Sequence, residues 1–284
     1  MEAALARFSQ RCDAHPVRTI LTLEERARYV GVMPAVSGDV MGVKFVTFYP
    51  INAGAGVPTH HATILLYRTD NGQPLAAMDG RLITEMRTAA VSAAVTRHLA
   101  RPESRTLALL GSGVQAQAHL RALRCVRELR DVRVWSRTHE HAELFAREHG
   151  VTAVRSAENA VRDADVVVTA TAAQDPVLCG TWLKPGAHIN AVGSCRPDWR
   201  ELDDDAMRGT VVVDSREAAA QEAGDVILSR APIYAEVGEI FSGARGAPAA
   251  SATTVFKSVG LACEDIAAAK LVVTNRLGGG RLAR

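Results

Sequence analysis

The sequence predicts an α/β protein: a doubly wound, Rossmann-type parallel-sheet domain joined to a discontinuous α+β domain with an antiparallel sheet. Three observations predict it. A glycine-rich turn, Gly111-Ser112-Gly113-Val114-Gln115-Ala116, follows an apolar run at 106–110 and opens a helical stretch. Beyond it, short runs that are apolar on both faces alternate with amphipathic stretches, as strands covered by helices on both sides require. Ahead of it lie short extended segments rich in Val, Ile, Tyr, Phe and Thr, the composition of a pleated, half-buried surface.

The first extended segments fall at 29–33, 43–49, 62–68 and 75–78. Asp70-Asn71-Gly72-Gln73 separates the last two and supplies the positive φ angles of a tight hairpin, so the pairing is expected to be antiparallel. An Ala-dense helix is expected over 82–99, with Thr84 as its N-cap and Pro102 beyond its end. Parallel strands follow at 106–110, 132–135, 152–154, 166–169, 187–192 and 210–213. Helices over 114–129, 140–149 and 157–161 lie between the early ones, and the right-handed crossover rule then selects the doubly wound topology. Residues 253–273 read as one long amphipathic helix that ends before Gly278-Gly279-Gly280 and packs back on the first domain. The expected division is 1–103 with 253–284 against 104–252.

Of 284 residues, 33 are Lys or Arg and 31 are Asp or Glu, for a formal net charge of +2. No broad field exists for phosphate backbones or anionic lipid, which disfavours nucleic acid and membrane as partners. The longest run without Asp, Glu, Lys or Arg is broken by Pro50, Asn52, Pro58, His60 and His61, so it is no membrane span. Glu2, Arg7 and Arg11 interrupt the N-terminal apolar residues, unlike a signal peptide. The five cysteines are widely spaced without a Cys-x-x-Cys, which fits reduced thiols and a cytoplasmic location. No metal site is expected, because His139 and His141 cannot share a helix face. No Ser-His-Asp spacing or nucleophile elbow supports hydrolysis.

The glycine turn carries the clearest chemistry. Gly111 and Gly113 let the backbone approach a pyrophosphate, which the free N–H groups at a helix start at Val114 and Gln115 can hold, and Ala116 permits close helix–strand packing. Cofactor choice is made at the end of the next strand, where an NAD enzyme places Asp or Glu on the ribose hydroxyls. Here the residues are Ser136-Arg137-Thr138. An arginine flanked by two hydroxyls suits a 2′-phosphate, so the expected cofactor is NADPH. Thr169, Thr171 and Val192 are assigned to the cofactor as well.

A second constellation consists of Arg18, Lys44 and Arg87, the last two embedded in apolar sequence. A buried cation needs an anion. An internal partner such as Glu85 or Asp79 would account for any one of them, whereas the three together point to a pocket for a carboxylate substrate. Arg87 is expected near a helix N-terminus, where Thr88 could reach a phosphate.

These segments resemble the ornithine cyclodeaminase/mu-crystallin family: Arg87-Thr88-Ala89-Ala90-Val91-Ser92-Ala93, the glycine turn, and Thr253-Thr254-Val255-Phe256-Lys257-Ser258. Residues 184–193 and 196–204 are similar to its mu-crystallin branch. The resemblance implies an NADPH-dependent ketimine reductase, a homodimer formed through the antiparallel domain, and a cofactor in the cleft between domains. It places the substrate-carboxylate arginines at Arg18 and Arg87 and the active-site lysine at Lys44. The cyclodeaminases' catalytic aspartate falls at Cys195, preceded by Ser194, and both are assigned to substrate binding. Without that carboxylate, amine loss and ring closure lack a base. The implied reaction is hydride transfer to C2 of piperideine-2-carboxylate or pyrroline-2-carboxylate, giving L-pipecolate or L-proline. The rivals are ornithine or lysine cyclodeamination, formation of N-alkyl amino acids, and non-catalytic thyroid-hormone binding or a crystallin role. The family usually carries a further strand and helix ahead of the segment matching Glu2 to Ser9.

Overall fold

The computed structural model describes residues 1–25, 27–52 and 54–276. It opens with α1 (Glu2–Ser9), β1 (Thr19–Glu24), β2 (Arg28–Ser37), β3 (Val40–Phe48), β4 (His60–Arg68), β5 (Pro74–Asp79) and α2 (Arg81–Leu99). There follow β6 (Thr106–Leu110), α3 (Val114–Arg124), β7 (Asp131–Trp135), α4 (His139–His149), β8 (Thr152–Ala153), α5 (Ala157–Val161), β9 (Val166–Thr169) and β10 (His188–Ala191). The rest comprises β11 (Thr210–Val213), α6 (Arg216–Glu222), α7 (Gly224–Ser229), β12 (Ile233–Glu236), α8 (Val237–Phe241), β13 (Thr254–Lys257) and α9 (Ala262–Arg276). Two compact units result: Met1–Arg87 with Gly260–Arg284, and Thr88–Val259.

In the first unit, β1 to β5 form an antiparallel sheet in sequence order. The β4–β5 hairpin turns where Asn71-Gly72 predicts it, with Gly72 at φ 73°. Helix α9 packs on β2, β3 and β4. The register aligns Met33 with Lys44 and Lys44 with Ile64, so the lysine points to the same face as these buried side chains. Burying Met33, Ile64 and Leu66 contributes about 1.5–3 kcal/mol apiece, which offsets the cost of holding an ammonium among them. The opposite face carries Leu21 and Phe45, 51% and 49% exposed.

The second unit holds an eight-stranded sheet in the order β12-β11-β13-β10-β9-β6-β7-β8, with every adjacent pair parallel. Strand order reverses between β6 and β9. β9, β10 and β13 are buried along their whole length, consistent with runs that are apolar on both faces.

Three local expectations are corrected. Residues 253–273 are not one helix: β13 forms a central strand and α9 starts only at Ala262. Thr254, Val255 and Phe256 favour a pleated strand, and Gly260 at φ 77° turns the chain into α9. Both β13 and residues 88–99 therefore group with the parallel sheet. Helix α2 begins at Arg81, where Asp79 Oδ1 accepts the backbone N–H at 2.7 Å. Thr84 is thus no cap, and its hydroxyl donates to the Gly80 carbonyl. Arg87 and Thr88 consequently lie beyond the free N–H groups of the first turn, and the helix-terminus argument for Thr88 does not hold. Strands β1 and β12 and helices α6 to α8 were not expected. Gly278, Gly279 and Gly280 lie outside the described residues. Among the described residues, no helix is long and apolar enough to cross a membrane, and no group of three His, Cys, Asp or Glu is placed to hold a metal ion.

Candidate active site

The antiparallel unit brings Lys44, Arg87 and Arg18 together around the start of α9. Lys44 Nζ lies 2.6 Å from Asp265 Oδ2, and Arg87 Nε lies 2.9 Å from Asp265 Oδ1. Arg87 Nη1 also contacts Glu264 Oε2 at 2.5 Å. Arg18 Nη2 donates to the Gly260 carbonyl at 2.6 Å. Glu264 and Asp265 stand in the first turn of α9, where the helix dipole favours carboxylates. Gly260 is required twice over, by its positive φ and because a Cβ there would collide with the Arg87 guanidinium.

The anions for the buried cations are therefore Glu264 and Asp265, which sequence reasoning missed, and the Glu85 and Asp79 alternative is not taken up. Three cations, Arg18, Lys44 and Arg87, meet two carboxylates here. Burial pushes the Lys44 ammonium down to about 8; Asp265 opposes this, while Arg87 and Arg18 add to it. Burial alone would raise the Asp265 carboxyl, but Arg87 and Lys44 outweigh it and hold it below the usual carboxylate range. The site thus contains a lysine poised to exchange a proton near neutral pH, beside an arginine fixed by two acids.

In the parallel unit, Gly111 leaves β6 at φ 115° and donates its N–H to the Trp135 carbonyl at 2.8 Å. A Cβ on Gly111 would lie 2.5 Å from the Ala170 carbonyl oxygen, so the turn admits no larger residue. Gly113 is the N-cap of α3 with no side-chain cap bond, Val114 is exposed, and Gln115 completes the first turn. Such a bare helix start fits a pyrophosphate. Ser136, Arg137 and Thr138 form the loop between β7 and α4; Thr138 makes no side-chain cap bond and Arg137 is exposed.

Beyond β9 and β10, Glu201 is the hub. It accepts from the Thr169 hydroxyl at 2.8 Å, from Thr171 N–H and hydroxyl at 2.7 and 2.6 Å, and from Gly193 N–H at 2.9 Å. Val192 is held by its N–H on the Thr169 carbonyl. Ser194, buried at φ 51°, donates its hydroxyl to the Ala173 carbonyl, and Cys195 is exposed with its thiol 3.7 Å from the Ser258 carbonyl. Sequence reasoning did not single out Glu201. Its neighbours Asp198, Arg200, Asp203 and Asp204 make it look like one more member of a solvated charged stretch.

The model of the ornithine cyclodeaminase/mu-crystallin family matches residues 1–280. The chain belongs to this family. Among family relatives, the ketimine reductase mu-crystallin of Mus musculus is 51% identical over 280 residues, covering 96% of this chain and 89% of its own. A Delta(1)-pyrroline-2-carboxylate reductase of Bacillus cereus is 38% identical, covering 94% and 87%. The solved Delta(1)-pyrroline-2-carboxylate reductase of Thermococcus litoralis, in complex with NADH and L-proline, superposes with a TM-score of 0.91 at 36% identity, over 99% of this chain and 93% of that one.

Proposed function

We propose that this family member is an NADPH-dependent reductase of cyclic imine carboxylates, acting on piperideine-2-carboxylate or pyrroline-2-carboxylate to give L-pipecolate or L-proline. The observation that carries this is the meeting of buried Lys44 and Arg87 with half-buried Arg18 at the start of α9, a cationic cluster suited to a substrate carboxylate. The relatives that reduce ketimines and pyrroline-2-carboxylate support the same substrate class. The unit Met1–Arg87 with Gly260–Arg284 serves substrate binding and dimerisation, and the unit Thr88–Val259 binds the cofactor.

When bound, the reduced nicotinamide supplies a hydride to C2 of the substrate and is left with a positively charged ring. Arg18 and Arg87 hold the carboxylate and so fix C2. Lys44 delivers a proton to the substrate nitrogen and becomes neutral, which removes a charge that would otherwise repel the iminium. Ser194 and Cys195 line the substrate side. Gly111, Gly113, Val114, Gln115, Thr171 and Val192 hold the cofactor, with Ser136, Arg137 and Thr138 on its 2′-phosphate; Thr169, fully buried with its hydroxyl on Glu201, supports these loops from beneath. Among the described residues no carboxylate pairs with Arg137, which leaves its guanidinium for a phosphate. The five free cysteines fit a reducing, cytoplasmic setting.

An NADPH-oxidation screen at two pH values, over cyclic imine carboxylates and over keto acids mixed with amines, tests the activity. Oxidation with a cyclic imine carboxylate is expected, and Arg137→Ala is expected to abolish the preference for NADPH over NADH. Ammonia release from ornithine without net NADPH consumption, or a variant that keeps its NADPH preference, would refute the respective parts. The half-exposed Leu21 and Phe45 on the open sheet face support a homodimer through the antiparallel unit. Sedimentation at twice the chain mass is expected, and a monomer at micromolar concentration would contradict it.

A further inference from the structure

Strands β9, β10 and β13 end level with one another, with Ala191 paired to Thr169 on one side and to Lys257 on the other. In a doubly wound sheet the dinucleotide lies across the carboxyl ends of the strands, one mononucleotide half on each side of the point where strand order reverses. The glycine turn and Arg137 belong to the half built on β6 to β8. The nicotinamide half is therefore the one built on β9, β10 and β13.

Beneath the loops at that end lies a cluster of three fully buried ionisable side chains, Glu201, Asp225 and Lys257. Lys257 Nζ contacts Asp225 Oδ2 at 2.9 Å and donates to the Gly193 carbonyl at 2.5 Å. Asp225 Oδ1 accepts from the backbone N–H groups of Glu201 and Leu202 at 2.8 and 2.9 Å. The Gly193 residue is thus held at its N–H by Glu201 and at its carbonyl by Lys257. Burial pushes the Glu201 carboxyl up and Asp225 adds to this, while Lys257 and the hydroxyls of Thr171 and Thr169 oppose it. Each Glu201 oxygen accepts one backbone N–H, from Thr171 or Gly193, and one threonine hydroxyl, so the ionised carboxylate satisfies all four donors. The arrangement accommodates the carboxylate. Two carboxylates and one ammonium then leave one negative charge in excess, buried where little water screens it.

Resting on the cofactor assignment above, we infer that Glu201, with Asp225 and Lys257, binds the nicotinamide loops together and supplies a fixed negative charge that favours the oxidised, positively charged ring over the neutral reduced one. Hydride leaves with its electron pair for C2, the carbon–nitrogen double bond becomes single as Lys44 gives the nitrogen a proton, and the ring is left one charge more positive. A fixed anion on the ring's side stabilises that developing charge without reorganising during the step. Glu201 is a positioning and electrostatic residue with no part in proton transfer.

The test is the ratio of dissociation constants for NADP+ and NADPH, measured by fluorescence titration without substrate. Glu201→Gln removes the excess charge and is expected to weaken NADP+ relative to NADPH by about tenfold. Glu201→Asp keeps the charge and is expected to keep the wild-type ratio, even where both affinities fall. Asp225→Asn makes the same one-charge change from the other carboxylate and decides the matter if Glu201→Gln does not fold. An unchanged ratio in a folded, charge-removing variant, with both affinities falling together, would reduce the cluster to a loop tether and overturn the inference. Failure of the wild type to bind any nicotinamide nucleotide would instead overturn the cofactor assignment on which it rests.

Discussion

Replacing Asp265 with asparagine lowers the free energy of unfolding by about 3–5 kcal/mol and moves the alkaline limb of kcat/KM to lower pH, because the change leaves Lys44 buried beside a neutral group and Arg87 with Glu264 as its remaining acid of the pair. In the wild type, burial pushes Lys44 down to about 8 against the partial support of Asp265. A lysine that must donate a proton is then competent below about pH 8, and kcat/KM falls as pH rises through that value. With asparagine the supporting charge is gone, and Lys44 loses its proton at a lower pH. The sign of the stability effect follows the same linkage. The folded value lies below the ordinary 10.5, so the folded state binds fewer protons than the unfolded chain between the two values. Stability contributed by this group rises with pH across that window, which opens earlier in the variant. Denaturant unfolding at several pH values and a pH series of kcat/KM measure both effects. An alkaline limb that stays in place would exclude Lys44 as the donor.

Arg87→Lys is expected to lower kcat/KM about 100-fold, mainly through a higher KM, because a lysine ammonium cannot reproduce the planar fork. Arg87 spends Nε on Asp265 and Nη1 on Glu264, and those two bonds fix the plane in which the guanidinium meets a substrate carboxylate. A lysine retains the charge but loses the orientation, so the substrate is attracted and C2 is misplaced. Steady-state kinetics with a cyclic imine carboxylate, alongside a circular-dichroism check of folding, measures the effect. Near-normal activity would mean that Arg87 serves the internal ion pairs and makes no carboxylate clamp.

Local pattern made much of the fold legible. The parallel strands, the glycine turn and the Asn71-Gly72 hairpin are encoded within a few residues of themselves, and the structure places them within a residue or two of expectation. Lys44 and Arg87 were visible as cations in apolar sequence. Their anions were not, because Glu264 and Asp265 stand 177 and 178 residues from Arg87 and nothing local in a helix start announces a distant guanidinium. Strand β13 was hidden by the amphipathic sequence that follows it, although Gly260 was the available break. Glu201 was illegible for another reason: its role is set by four donors on two loops, which only the assembled sheet brings together.

The start of α9 also fixes an order of events during synthesis. Lys44 and Arg87 leave the ribosome early, whereas the acids that neutralise them follow only after the whole parallel unit has been made. The antiparallel unit cannot reach its final charge balance on a nascent chain shorter than Asp265. The parallel unit, contiguous from Thr88 to Val259, depends on no such late arrival for its own ion pairs, since Lys257, Asp225 and Glu201 all lie within it. A chain interrupted just before α9 would contain the entire nucleotide fold and still leave two buried cations without their counterions.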